Sequence, residues 1–198
     1  VVLHNGYGLT ETSPTISRTL YAVGSNEVNI GTPIPGVEIK IVGSDGCEIM
    51  DGSPGELHVR GPNVMLGYFR QPELTEAVID KDGYLNTGDI VSVNSKQEMV
   101  VQGRTKELII RSGFNVYPPE IEAALNTHPA VLNSAVVGRS IEGNEEIVAF
   151  VEPVPGCHIE IDTLFALLDE QQKKKKKPQK IIVMSQLPVA PNGKIRKN

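Results

Sequence analysis

The chain has no tryptophan, two cysteines and only 5% aromatic residues among its 198. Cys47 and Cys157 stand alone, with no CxxC pair and no histidine at metal-ligand spacing beside them. That excludes a disulfide-rich scaffold and a zinc ribbon. Free thiols in a cytoplasmic protein are the expected state, and a single disulfide is the other way to read two cysteines. No apolar run approaches the roughly 18 residues of a membrane-crossing helix, and the given residues open on no basic-then-apolar leader, although Val1 reads as the start of a fragment rather than the true N-terminus. Stable membrane insertion is therefore not expected. Positive charge is also short: 19 Lys and Arg against 24 Asp and Glu leave a net charge of −5. A general nucleic-acid binder needs clustered positive charge to neutralise phosphates, so the acidic total argues against that class. The phosphate cradle GxxxxGK[ST] is absent as well.

The charge that is present is unevenly placed. Residues 1–103 carry 6 basic and 13 acidic side chains, and residues 104–198 carry 13 and 11. The step at Gly103-Arg104 suggests two domains, 1–103 and 104–198. Before it, alternating apolar and polar residues predict short strands at residues 37–42 and 55–60. A hairpin is expected from Ile90-Val91-Ser92-Val93 and Glu98-Met99-Val100-Val101 about Asn94-Ser95-Lys96-Gln97. Val1-Val2-Leu3 reads as the end of a buried strand. Many short strands at this spacing predict a small, β-rich, barrel-like subdomain. After the step the texture becomes α+β. Strands are expected at 107–111, 131–137, 147–151 and 181–184. Pro118-Pro119 open one helix, and Asp162 is the expected cap of another that carries Leu164, Leu167 and Leu168 on one face. The expected fold class is thus α+β, a small β-rich subdomain joined by a hinge to a small α+β domain.

Four strings carry the chemistry, in this order: Tyr7-Gly8-Leu9-Thr10-Glu11-Thr12, Tyr84-Leu85-Asn86-Thr87-Gly88-Asp89, Gly103-Arg104-Thr105-Lys106-Glu107 and Pro191-Asn192-Gly193-Lys194. Activating a nucleotide needs a flat face for adenine, a hydroxyl for a phosphate oxygen and a carboxylate for Mg²⁺. Tyr7, Thr10 and Glu11 offer all three on one turn. A carboxylate at a glycine turn, such as Asp89, can accept two hydrogen bonds from a ribose diol. A lysine on a glycine turn, such as Lys194, can reach a carboxylate oxygen and a phosphate oxygen together. Taken singly, each string also has a plain reading: Thr10 a cap, Asp89 a strand start, Lys106 part of a polar linker, Lys194 a solvated surface residue.

The four strings together, spread over essentially the whole chain, resemble the adenylate-forming acyl-CoA synthetases, the family of firefly luciferase and 4-coumarate–CoA ligase. The resemblance implies ATP/AMP, Mg²⁺ and coenzyme A as ligands and a small carboxylic acid, most similar to fatty or aryl acids, as substrate. It places Tyr7 against adenine, with Gly8 beside it in the cofactor-binding turn, Thr10 on the α-phosphate and Glu11 on the metal. Asp89 and Arg104 fall on the ribose, and Lys106 on the hinge about which the small domain turns. Gly113, within Arg111-Ser112-Gly113-Phe114-Asn115, falls on the segment that flanks the pantetheine arm. Lys194 corresponds to the adenylation lysine, so Lys194, Thr10 and Glu11 are the implied catalytic set. The sequence departs from the family at Leu85 and Asn86, where relatives carry Arg, Lys, His or Phe. It departs again in the run 173–177, where lysine replaces an aromatic before Lys-x-Pro.

The Ser/Thr/Gly-rich phosphate loop of that family does not occur here. The chain is therefore expected to be the C-terminal portion of a longer synthetase, inactive alone. Two rivals remain. A ligase loading a carrier protein would often show Gln-Val-Lys-Ile after the hinge, where Leu108-Ile109-Ile110-Arg111 stands. A non-catalytic module would be expected to have lost some of Thr10, Glu11, Asp89, Arg104 and Lys194. The lysine run 173–177, with Lys180, reads as a solvated connection, a contact for CoA phosphates, or a contact for an anionic membrane or carrier. His4, His58, His128 and His158 show no catalytic spacing and read as structural or surface residues.

Overall fold

The computed structural model describes residues 4–20, 29–171, 176–191 and 193–197. The expected strand end at residues 1–3 lies outside them. Contacts divide the chain into two compact units, Val1–Thr105 and Lys106–Asn198. No helix among the described residues is long and apolar enough to cross a membrane. Cys47 and Cys157 are both free and exposed.

Among the described residues the first unit is built on one seven-stranded sheet. Its strands are β1 (Gly6–Gly8), β2 (Thr15–Arg18), β3 (Asn29–Pro33), β4 (Glu38–Val42), β5 (Gly55–Arg60), β6 (Leu85–Val93) and β7 (Met99–Arg104). Their order is β1-β2-β3-β7-β6-β5-β4, with every pairing antiparallel. Among the described residues β1 and β4 do not pair, so the sheet is open rather than a closed barrel. It is nevertheless strongly curled. Three strands separate β1 from β6, about 19 Å in a flat sheet, yet a β1 side chain bonds to a β6 side chain. Period-two alternation explains the burial. In β5, Gly55, Leu57 and Val59 face inward, and Leu57 and Val59 are fully buried. They join Ile16, Leu85, Val91 and Met99 in one core. Truncating one of these to alanine costs about 2–5 kcal/mol. The β6–β7 hairpin forms as read from the sequence. Asn94 Oδ1 accepts from the Lys96 and Glu98 amides and so closes the turn. A five-residue helix, α1 (Pro72–Glu76), was not expected. It is too short to leave a periodic signature.

The second unit opens with a two-stranded hairpin, β8 (Ile109–Arg111) and β9 (Phe114–Val116). Helix α2 (Pro118–Leu125) follows, with prolines at its start and Ile121, Ala124 and Leu125 buried on one face. β10 (Val131–Ile141) pairs antiparallel with β11 (Asn144–Pro153). Helix α3 (Ile161–Gln171) then crosses over, and β12 (Lys180–Val183) pairs parallel with β11. Leu164 and Leu168 seat α3 in the core beside Val136, Ile147 and Val151. Asp162 lies inside the first turn of α3 rather than at its cap. Its carboxylate there still favours the positive end of the helix dipole. The α+β class read from the sequence holds, with β9 as one strand more than expected.

Candidate functional site

The turn after β1 is built by a residue the sequence reading passed over. Residues Thr10–Thr12 form one turn of 3-10 helix. Fully buried Thr12 closes it: its hydroxyl accepts from the Leu9 amide at 3.0 Å and lies 3.0 Å from the Leu9 and Pro14 carbonyls. Thr10 is left exposed and Glu11 half-buried. The Glu11 carbonyl is fixed by the Met65 amide at 2.8 Å. Gly8 has a steric reason of its own, since a Cβ there would lie 1.6 Å from the Pro14 carbonyl oxygen.

Tyr7, Asp89 and Arg104, far apart in sequence, meet in one cluster. The cross-strand register of β6 and β7 sets Asp89 opposite Arg104. Arg104 Nε donates to Asp89 Oδ1 at 2.9 Å. The Tyr7 hydroxyl donates to Asp89 Oδ2 at 2.6 Å. Asp89 itself is 4% exposed. Each carboxylate oxygen thus has one ordered donor and keeps one further lone pair. Burial pushes the Tyr7 phenol well above the ordinary tyrosine range. The hydrogen bond to Asp89 and the charge of that carboxylate push it further, with Thr87 and Arg104 pulling partly back. Thr87 braces the strand, donating to the Leu57 carbonyl at 2.8 Å and accepting from the Asp89 amide at 3.2 Å.

Beside this cluster lies a cleft of about 400 Å³ whose lining includes Glu11, Tyr68, Thr87, Gly88 and Arg104. The volume suits a small molecule. Tyr68 is a second residue that the sequence did not single out. Its hydroxyl donates to Glu11 Oε1 at 3.0 Å. Burial, then the Glu11 hydrogen bond and charge, raise its phenol. No group of three or more potential metal ligands occurs among the described residues. A single carboxylate suits Mg²⁺, which keeps waters and commonly takes one or two carboxylates plus substrate phosphates.

The remaining candidates belong to the second unit. Lys106 is exposed within the 3-10 turn Thr105–Glu107, at the junction where one unit ends and the next begins. Gly113 sits in a two-residue hairpin loop between β8 and β9. Ser112 (φ 49°) and Gly113 (φ 78°) are both left-handed, the geometry of a type I′ turn between Arg111 and Phe114. Nothing lies within 4 Å of a Cβ at Gly113, so its glycine is explained by backbone conformation, not by close approach within the unit. Lys194 is exposed on a tight turn. The Ala190 amide donates to the Lys194 carbonyl at 2.8 Å, and Val189 bridges Ile195. Asn192 lies outside the described residues, as do 173–175 of the lysine run. Of that run, Lys176 pairs with Glu120 at 2.6 Å and Lys177 pairs with Asp169.

The histidines form no catalytic arrangement among the described residues. His4 Nδ1 lies 3.0 Å from the Thr19 carbonyl. Burial, and then the charge of Lys40, hold the His58 imidazole below its ordinary range.

Comparison with known proteins gives the family. The model of the AMP-binding enzyme family matches residues 1–69, and that of the AMP-binding enzyme C-terminal domain matches residues 120–194. A long-chain-fatty-acid–CoA ligase of Escherichia coli O157:H7 is 38% identical over 193 residues, covering 98% of this chain and 34% of the relative. 4-Coumarate–CoA ligase 5 of Oryza sativa subsp. japonica is 40% identical over 200 residues, covering 98% and 37%. ATP-bound MatB from Rhodopseudomonas palustris superposes with a TM-score of 0.89 at 34% identity, covering 98% of this chain and 39% of that one. O-succinylbenzoate coenzyme A synthetase (MenE) from Bacillus subtilis, in complex with ATP and magnesium, gives 0.87 at 32%, covering 97% and 40%. The chain spans about a third of the length of the curated relatives it matches. With both models matched in order and the four motifs in place, the chain belongs to the AMP-binding enzyme family.

Proposed function

We propose that the chain serves as the C-terminal portion of an AMP-forming acyl-CoA synthetase that acts in the cytoplasm on a carboxylic acid, a fatty acid by preference. The observation that carries this reading is Asp89, buried and held by Tyr7 and Arg104 beside the cleft that Glu11 lines. A carboxylate so ordered is prepared to accept both hydroxyls of a ribose without reorganising. Arg104 supplies the neighbouring donor, and the Tyr7 ring the flat surface for adenine. Thr10 and Glu11 are the groups for the α-phosphate side. Glu11, held by Tyr68, would hold Mg²⁺, which neutralises phosphate charge when bound.

The first half-reaction forms a bond between a substrate carboxylate oxygen and the α-phosphorus. The bond to the β-phosphate oxygen breaks, and pyrophosphate leaves. Lys194 lies against both oxygens in this step and offsets their negative charge, an aimed interaction of the kind that dominates many active sites. The small unit then turns about Lys106. In the second half-reaction the coenzyme A sulfur attacks the acyl carbon, its proton is lost, and AMP leaves with the bonding pair. The Ser112-Gly113 hairpin faces the pantetheine arm in this state.

The test uses the full-length enzyme with ATP, Mg²⁺ and a panel of fatty and aromatic acids. Pyrophosphate release and loss of the coenzyme A thiol are followed in the same tubes. Acid-dependent loss of both is expected. Pyrophosphate without thiol loss would point to another acceptor, such as a carrier protein, and neither signal would favour a non-catalytic module.

A further inference from the structure

Three residues beyond Lys194 the chain makes an anchor that the catalytic reading does not use. Lys197 Nζ lies 2.8 Å from Glu107 Oε2 and 2.9 Å from Glu122 Oε1. Its side chain is 22% exposed, and those of Glu107 and Glu122 are 30% and 16% exposed. Burial draws the Lys197 ammonium down, but the hydrogen bonds and charges of the two carboxylates more than offset it, so its pKa stands above the ordinary lysine range. The cation is thus held, not solvated. Each carboxylate belongs to a fixed element. Glu107 ends the 3-10 turn that contains Lys106. Glu122 lies on α2, and its Oε1 also accepts from the Val136 amide of β10 at 2.7 Å. Ile195 and Lys197 line a cavity of about 310 Å³ together with Lys106, Glu107, Ile109 and Val136. The other leg of the Lys194 turn is tied down separately: the Leu187 amide donates to Glu152 at 3.3 Å, and Leu187 is 2% exposed.

We propose that Lys197 is a positioning residue for adenylation: it clamps the Lys194 turn to the Glu107 turn and to α2, so that the hinge segment and the adenylation lysine move as one body. This rests on the assignment of Lys194 above. Three residues span about 10 Å, so an anchor at Lys197 limits where Lys194 can point. A lysine held in one place loses rotamer freedom, and the two half-buried carboxylates of Glu107 and Glu122 are what keep it there. The plain alternative is an ion pair that only stabilises the second unit. The two differ in their effect on the half-reactions. A stability role lowers both in parallel with the melting temperature. A clamp on Lys194 affects adenylation alone, because thioester formation from acyl adenylate does not use that lysine.

The test is made in the full-length enzyme with Lys197→Met, Lys197→Arg and Glu107→Gln, and with Lys194→Ala as reference. Lys197→Met is expected to lower kcat for adenylation about tenfold with KM for ATP unchanged. Its thioester formation from preformed acyl-AMP should stay within about twofold. Lys197→Arg should restore most of the loss, since it keeps the charge. Glu107→Gln, which keeps one carboxylate and the fold, should lower adenylation about threefold. Equal losses in both half-reactions, or no loss in either Lys197→Met or Glu107→Gln, would overturn the clamp. If instead Lys194→Ala spares adenylation, the assignment of Lys194 fails, and that outcome is separate from the behaviour of Lys197.

Discussion

Replacing Tyr7 by phenylalanine removes one oxygen and tests the cluster around Asp89. The ring remains, so burial is preserved. What is lost is a 2.6 Å hydrogen bond to a carboxylate that is 4% exposed. A hydrogen bond to a charged group contributes about 1.5–3 kcal/mol. Asp89 keeps Arg104, so the lower part of that range applies, about 2 kcal/mol. For a unit of this size that lowers the unfolding midpoint by roughly 8 °C or more. The assay is near-ultraviolet circular dichroism of the 198-residue chain. There is no tryptophan, and four of the five tyrosines precede Thr105, so this signal reports chiefly on the first unit. The pH dependence adds a second arm. The folded-state pKa of Tyr7 is raised above its unfolded value near 10. The stabilisation is therefore complete below pH 10 and is lost as pH rises toward the folded value. The advantage of the wild type over Tyr7→Phe should be constant from pH 7 to 10. Above that it should shrink by about 1.4 kcal/mol per pH unit. An unchanged midpoint at pH 7, or an advantage that stays flat to pH 11, would refute the reasoning.

Other expected outcomes follow from the same geometry. His58 has a folded pKa below its ordinary value, so the unfolded chain binds more protons as pH falls below about 6.5, and stability falls with it. In His58→Gln the midpoint should drop less between pH 6.5 and 5, and an identical acid limb would contradict the assignment. Gly8→Ala forces the backbone away from Pro14 and should cost about 3 kcal/mol, read as a fall in the urea midpoint. Glu11→Gln in the full-length enzyme should raise the Mg²⁺ concentration for half-maximal velocity about tenfold, the effect of roughly 1.4 kcal/mol of lost attraction. An unaltered Mg²⁺ titration would remove Glu11 from the metal site.

What the sequence made legible was local. Alternation around Asn94-Ser95-Lys96-Gln97 was enough to place the β6–β7 hairpin, and Pro118-Pro119 before Ile121, Ala124 and Leu125 to place α2, because turn chemistry and periodicity are written in neighbouring residues. The order of the seven strands was not legible. It depends on which edges pair across long loops, and no local pattern encodes that. The bond between Tyr7 and Asp89 joins residues 82 positions apart and exists only because the sheet curls. Family resemblance gave both residues a ligand, and the structure adds that they hold each other. Thr12, Tyr68 and Lys197 were passed over for a different reason. A buried threonine, an aromatic after Gly67 and a lysine near a basic end have ordinary surroundings in sequence. Thr12 bonds within its own turn to Leu9, but the partners of Tyr68 and Lys197 at Glu11, Glu107 and Glu122 appear only in three dimensions. The Ser112-Gly113 turn could have been found, since a two-residue loop ending in glycine between β-rich segments is a hairpin signal.

The most direct measurement is exchange of labelled pyrophosphate into ATP by the full-length enzyme without coenzyme A. Exchange that requires a carboxylic acid, and that falls about 100-fold or more in Lys194→Ala, is the predicted result. Exchange that proceeds without acid, needs coenzyme A, or survives Lys194→Ala would contradict adenylation by this machinery.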